Sequence, residues 1–194
     1  MKFNTVLLIG APGAGKGTQG KILGTVPNFY HCACGEVFRN LTVESELGRT
    51  FIEYSSRGEL VPDEYTIRLW RTYIENRTRS GQFRPEMDTL VLDGLPRNIY
   101  QAKMLADTLN VIAVFNLTCP DRSKLVARLQ RRALRDNRLD DANVEVIIAR
   151  LSLYDKETKP VLAYYGPDLV RTIDAIQPPI LVLQSLLAML PRPA

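Results

Sequence analysis

An α/β layer fold on a parallel sheet is what this sequence predicts, and three observations carry the prediction. Five apolar runs, at residues 6–9, 29–32, 90–93, 111–117 and 170–174, alternate with helical patterns along the 194-residue chain. That rhythm is the one produced by successive β-α-β units. Several runs are continuously apolar rather than alternating, as expected of parallel strands covered on both faces. The first run leads directly into Gly10-Ala-Pro-Gly-Ala-Gly-Lys-Gly-Thr-Gln19, and a helical pattern follows. Strand, glycine-rich loop and helix in this order form the context of a phosphate-binding loop.

Taken in order, the first unit is the most specific. Gly10, Gly15 and Lys16 match the G-x-x-x-x-G-K-[ST] pattern, with Thr18 read as its hydroxyl. Glycines let backbone N–H groups turn inward around a polyphosphate where a Cβ would collide with it. Lys16 supplies a cation to the β/γ oxygens, and the Thr18 hydroxyl is placed to hold Mg²⁺. The second strand leads into Cys34-Gly-Glu-Val-Phe-Arg39, and residues 36–63 are helical in pattern, punctuated by Gly48 and Gly58. The third strand ends in Asp93, after which Gly94-Leu95-Pro96 delivers Arg97 at the carboxyl edge of the sheet. Asp93 is similar in logic to a Walker-B acid that orients Mg²⁺ through water. Pro120 is expected to open a helix bearing Leu125, Val126 and Leu129. Residues 132–141 read as a charged segment between helices. Val144, Ile147, Ile148, Leu151 and Tyr154 form the stripe of the next helix, which Lys159-Pro160 should kink or end.

Bulk composition bounds the function. A chain of this length buries one sizeable core, and 45% hydrophobic with 24% charged residues is ordinary for a globular protein. The net charge of +4 is carried by 18 Arg against 7 Lys. Arginine grips phosphate through a planar bidentate fork, whereas lysine acts as a point charge. No basic run with interleaved aromatics points to nucleic acid. Three cysteines, Cys32, Cys34 and Cys119, make no disulfide framework, and Cys32-x-Cys34 lacks a second ligand pair. They read as small core residues, and His31, the sole histidine, as a packed strand residue. No signal peptide is recognised, and residues 180–190 are too short and interrupted to span a bilayer. A reduced, cytoplasmic location is expected.

The missing motifs also inform. The chain has no H-R-D-type base and no N-K-x-D guanine motif. A phosphate monoester has its second pKa near ~6 and is already an oxyanion at pH 7. An enzyme using that acceptor needs clamps rather than a general base. Arg39, Arg97, Arg132, Arg138 and Arg150, placed after strand ends or near the charged segment, are candidate clamps.

With these residues in hand, the sequence resembles the adenylate kinase family, the short-lid form of the nucleoside monophosphate kinases. The likeness rests on the phosphate loop, Cys34 to Arg39, Gly58-Glu-Leu-Val-Pro-Asp63, Asp93-Gly-Leu-Pro-Arg-Asn98 with Gln101, Arg138-Leu-Asp-Asp141, and Arg150. The resemblance implies a P-loop NTPase-type five-stranded parallel sheet flanked by helices. It implies a core of residues 1–33, 65–131 and 143–194, a monophosphate-binding insertion at 34–64, and a short lid at 132–142. The implied reaction is ATP + AMP ⇌ 2 ADP with Mg²⁺, by a monomer without nucleic-acid or membrane partners. Gly13, Ala14, Gly15, Lys16, Gly17 and Thr18 would hold the ATP phosphates, Arg132 would cover ATP, and Gln177 would lie near its adenine. Thr18 and Asp93 would serve the metal. Arg39, Arg97, Arg138 and Arg150 would grip the AMP phosphate and the phosphoryl group in flight. Cys34, Glu59, Leu60, Val61, Gly94, Leu95, Pro96 and Gln101 would form the rest of the AMP pocket.

Departures from the family's pattern concentrate at base recognition. Cys34 stands where threonine is usual, and Leu95 replaces a common phenylalanine. The loop Asp174-Ala-Ile-Gln177-Pro lacks its usual glycine. Glu36 and Asn98 look like UMP/CMP kinases, a pyrimidine-acceptor alternative, whereas Gln101 looks like an adenylate kinase. A nucleotide-binding switch is the alternative of a different class, but it would have no need of the second arginine cluster. With no cysteine between residues 132 and 141, a structural zinc is not expected.

Overall fold

A computed structural model of the chain describes residues 2–42 and 44–191. Five parallel strands, β1 (Phe3–Gly10), β2 (Phe29–Ala33), β3 (Thr89–Asp93), β4 (Leu109–Thr118) and β5 (Val170–Asp174), form one sheet in the order β2-β3-β1-β4-β5. The five predicted runs are all strands, extended by a few residues at several ends. The central strand β1 pairs with β3 (Leu8 beside Asp93) and with β4 (Gly10 beside Leu117). Its carboxyl end is therefore flanked on both sides by strand ends, the place where open α/β sheets bind ligands.

Nine α-helices accompany the sheet among the described residues: α1 (Lys16–Leu23), α2 (Cys34–Arg39), α3 (Glu46–Ser56), α4 (Asp63–Arg79), α5 (Ile99–Met104), α6 (Arg122–Asp136), α7 (Val144–Leu153), α8 (Val161–Tyr165) and α9 (Pro179–Met189). The continuous apolar strands supply both layers. Leu7 and Ile9 of β1 pack on one face with Ile67, Trp70 and Ile74 of α4, whereas Val6 and Leu8 pack on the other with Leu125, Leu129, Ile147 and Leu186. Trp70 is fully buried, and truncating it to alanine would cost about 3–5 kcal/mol. His31 lies against α1 as the strand reading expected. A Cβ at Gly20 would come within 2.3 Å of its Nε2, so glycine there lets the helix approach the strand.

Three sequence expectations change. Asp121, not Pro120, opens α6: its side chain caps the helix by accepting from the Lys124 N–H at 3.2 Å. The same helix continues through Arg132 to Asp136 and stops where Asn137 adopts a left-handed φ of 49°. The charged segment between helices is thus shorter than 132–141, because Arg, Leu and Ala propagate the helix well. On α7 only Ile147 and Leu151 are buried, while Val144 and Ile148 are exposed, so the stripe is a narrow i, i+4 ridge. Before Lys159-Pro160 the chain forms a π-helical turn, Tyr154–Thr158, and then resumes as α8.

Candidate functional site

A cleft of about 700 Å³ opens at the carboxyl ends of β1, β2 and β3, bounded by the phosphate loop, α2, the end of α3, α6 and α7. Ten cationic side chains line it against five acidic ones. That imbalance makes it a site for a strongly anionic ligand.

The phosphate loop is shaped by its backbone. Gly13 and Gly15 have φ of 83° and 96°, a left-handed region that side chains disfavour. Helix α1 begins at Lys16, so the N–H groups of its first turn stand at the loop without the carbonyl partners of a helix interior. Lys16 Nζ donates to the carbonyls of Gly10 at 2.7 Å and Ala11 at 3.1 Å, holding the ammonium across the loop. Burial pulls its pKa down to about 8. Arg97, Arg132 and Arg150 push the same way, and Asp93 opposes them.

Thr18 needs a correction. Gly17 follows Lys16 directly, so the threonine stands one residue beyond the pattern's hydroxyl position. Its side chain is exposed at the cleft's edge. Gly17 instead faces the strand-end acid: a Cβ there would lie 3.5 Å from Asp93 Oδ2. No group of three or more metal-ligating side chains occurs among the described residues. One carboxylate beside a helix's first turn still suits Mg²⁺, which keeps its waters and is carried by phosphates.

All five predicted arginines reach the cleft. Arg39 donates to the Gly35 carbonyl at 2.7 Å and lies 3.4 Å from Asp140. Arg97 Nε donates to the Gly94 carbonyl at 2.9 Å, and Thr158 Oγ1, on the π turn, donates to the Arg97 carbonyl at 2.7 Å. Arg150 meets Asp141 at 2.5 Å and Asp140 at 3.0 Å, while Arg132 meets Asp141 at 2.6 Å. Asp141 is fully buried, and Arg132 keeps one buried Nη2 without a partner. Burial lowers the pKa of Arg97, with Arg150 and Arg39 adding to it. Arg138 is lowered likewise, first by burial and then by Arg132 and Arg39. Mutual repulsion of this kind is relieved by an anion bound among them.

The remaining predicted residues divide. Cys34, Glu59, Leu60, Val61, Gly94, Pro96, Gln101 and Gln177 line the cleft with Gly13, Ala14 and Gly15. Cys34 is buried, and its thiol is pushed up to about 11 by that burial. Leu95 does not line the cleft: it is 2% exposed and packs into the core beneath. A smaller apolar residue has followed the chain inward where an aromatic wall was considered. Asn98 is also withdrawn. Its Oδ1 caps α5 by accepting from the Gln101 N–H at 2.7 Å, and its Nδ2 donates to Asp63 at 3.0 and 3.1 Å.

Several lining residues were not singled out from sequence. Arg128 lies one turn before Arg132 on α6 and approaches the Ile176 carbonyl at 3.4 Å, beside Gln177. The i, i+4 spacing was the available signal. Thr158 had none, since its position depends on the π turn. Asp140, on the cleft wall, and the buried Asp141 behind it belong to a recognised motif, but their pairing with the arginines follows from the folded chain.

A family model for adenylate kinase matches residues 8–169. A protein named adenylate kinase from Thermobifida fusca is 39% identical over 180 residues, 89% of this chain and 90% of the relative. One from a Cyanothece species is 38% identical, covering 89% of this chain and 88% of the relative. One from Flavobacterium psychrophilum is 35% identical, covering 82% and 83%.

Proposed function

The chain belongs to the adenylate kinase family, and we propose that its cleft transfers the terminal phosphoryl group of ATP reversibly to AMP, giving two ADP. It is an enzyme, a nucleoside monophosphate kinase. The observation that carries the proposal is the convergence of Lys16 with Arg39, Arg97, Arg132, Arg138 and Arg150 on one cleft. A switch that binds a single nucleotide would need the loop but not the second cluster.

The residue roles follow from charge and position. Gly13 to Thr18 would cradle the ATP phosphates, and Lys16 would follow the group that moves. Arg132 would cover ATP, with Arg128 and Gln177 on the adenine side. Arg39, Arg97, Arg138 and Arg150 would hold the acceptor phosphate in line and neutralise charge in the transition state. Mg²⁺, travelling with ATP and oriented through water by Asp93, would supply further charge neutralisation. Cys34, Glu59, Leu60, Val61, Gly94, Pro96 and Gln101 would receive AMP. The boundaries proposed for its parts are an insertion at 34–64 and a short lid at 132–142, the latter beginning inside α6. Closing both over the substrates would keep water from the reacting phosphate. The three free cysteines accord with a reduced, cytoplasmic setting, and a monomer is the proposed state. No helix among the described residues is long and apolar enough to cross a membrane.

Engagement of Asn98 with Asp63 and the α5 cap supports an adenine rather than a pyrimidine acceptor, since its amide is turned from the cleft. The test is ADP production from MgATP with AMP, CMP, UMP or GMP, compared by kcat/KM. A strong preference for AMP is expected. Preference for CMP or UMP would overturn the acceptor assignment, and turnover of none would overturn the reaction.

A further inference from the structure

We propose that Asp63 is a positioning residue: it fixes the amide orientation of Gln101 and thereby makes the acceptor pocket select a 6-aminopurine over a 6-oxopurine. This rests on the reading of Gln101 as the base contact of the acceptor.

Gln101 is 1% exposed and lines the cleft. An amide is nearly symmetric in shape, so its neighbours decide which end is oxygen. On one side stands the Arg97 backbone N–H, which can only donate, and Gln101 Oε1 accepts from it at 2.7 Å. On the other side stands the Asp63 carboxylate, an acceptor only, to which Gln101 Nε2 donates at 2.7 Å. Both neighbours demand the same orientation. Oε1 retains a second lone pair and Nε2 a second hydrogen.

That pair of valences matches one class of base. The edge of a 6-aminopurine offers a donor at N6 and an acceptor at N1, complementary to the oxygen and N–H of this amide. A 6-oxopurine presents an acceptor at O6 and a donor at N1, the reverse order, and would need a flipped amide. Flipping would set two donors against each other at Arg97 and two acceptors at Asp63. A buried mismatch of that kind is the basis of strong discrimination. Asp63 is itself fixed, because Asn98 Nδ2 reaches both its oxygens and Asn98 is held by the α5 cap. As the first residue of α4, Asp63 joins the end of the proposed insertion to the loop carrying Arg97.

The experiment compares AMP with inosine monophosphate as acceptor, with MgATP as donor, for the wild type, Asp63→Ala, Asp63→Asn and Glu64→Gln. Glu64→Gln removes a charge from the same first turn of α4 without touching Gln101, and so controls for helix stabilisation. For Asp63→Ala, KM for AMP should rise about tenfold while kcat and the KM for ATP stay near wild type. The kcat/KM preference for AMP over inosine monophosphate should fall by a similar factor. Asp63→Asn, which keeps one acceptor oxygen, should fall between, and it carries the test if the alanine variant does not fold. Glu64→Gln should keep the wild-type preference. An unchanged preference in both Asp63 variants, an equal loss of kcat for both acceptors, or the same loss in Glu64→Gln would overturn the proposal. A wild type that does not prefer AMP would instead overturn the reading on which it rests.

Discussion

The phosphate loop and the arginine arm around residues 132–150 both present donors to phosphate, yet they hold those donors differently. In the loop the donors are backbone N–H groups, and their direction is set by φ at Gly13 and Gly15 and by the start of α1. On the arm they are long side chains, paired with the carboxylates of Asp140 and Asp141. Backbone donors are organised at folding and need no countercharge. Clustered guanidinium groups repel one another, so the arm carries acids that phosphate must partly displace. In the proposed closure the arm would exchange one set of anions for another, whereas the loop would only receive.

The sharpest break in that contrast is Lys16→Met. Lys16 is the one side-chain cation built into the loop, and its removal should lower kcat by roughly 10²–10³-fold with the denaturation midpoint little changed. Near-normal turnover would remove Lys16 from the mechanism. On the arm, Asp141→Ala strands Arg132 and Arg150 beside each other. Because both arginines reach solvent, the loss of stability should be about 2 kcal/mol rather than the full cost of breaking a buried pair. Urea unfolding would read it, and two adenosines joined by five phosphates should restore stability more in the variant than in the wild type. Equal stabilisation of both would show that Asp141 does not stand in for phosphate.

A pH profile separates the two regions further. The folded pKa of Lys16 lies below its ordinary value, at about 8, so the free enzyme loses this charge as pH rises through that range. For ATP, kcat/KM should therefore decline on the alkaline side with an apparent pKa near 8, about tenfold per unit beyond it. By linkage, the same depression makes this group's contribution to stability increase between about pH 8 and 10.5, where the unfolded chain holds the proton and the folded chain does not. An alkaline limb retained in Lys16→Arg would assign it elsewhere. The smallest effect is expected for Cys34→Thr, a buried change of similar volume. It should alter stability by less than about 1 kcal/mol and leave KM for AMP equal or lower. A large loss of AMP activity would show a pocket built around sulfur.

Much of the fold was legible because it is written locally. Unbroken apolar runs became strands buried on both faces, and the loop after β1 carries its own geometry in its glycines. The misreadings arose where a second signal, neighbouring or distant, outweighed the one that was read. Pro120 looked like a helix start, but a capping carboxylate next to it decided the boundary. Leu95 sat in a motif associated with the pocket, but its side chain followed the hydrophobic core. Asn98 suggested a pyrimidine acceptor through its likeness to UMP/CMP kinases, but its two ends are taken by α5 and Asp63.

Sequence alone determined the parallel sheet, the phosphate loop and the set of arginines, since each depends on residue type and short spacing. Tertiary structure decided which carboxylates hold those arginines and which amide faces the cleft. Asp63 meets Gln101 across 38 residues, and Arg39 meets Asp140 across 101. No local spacing encodes such pairs, because the energy that selects them exists only once the chain has brought them together and removed the water between them.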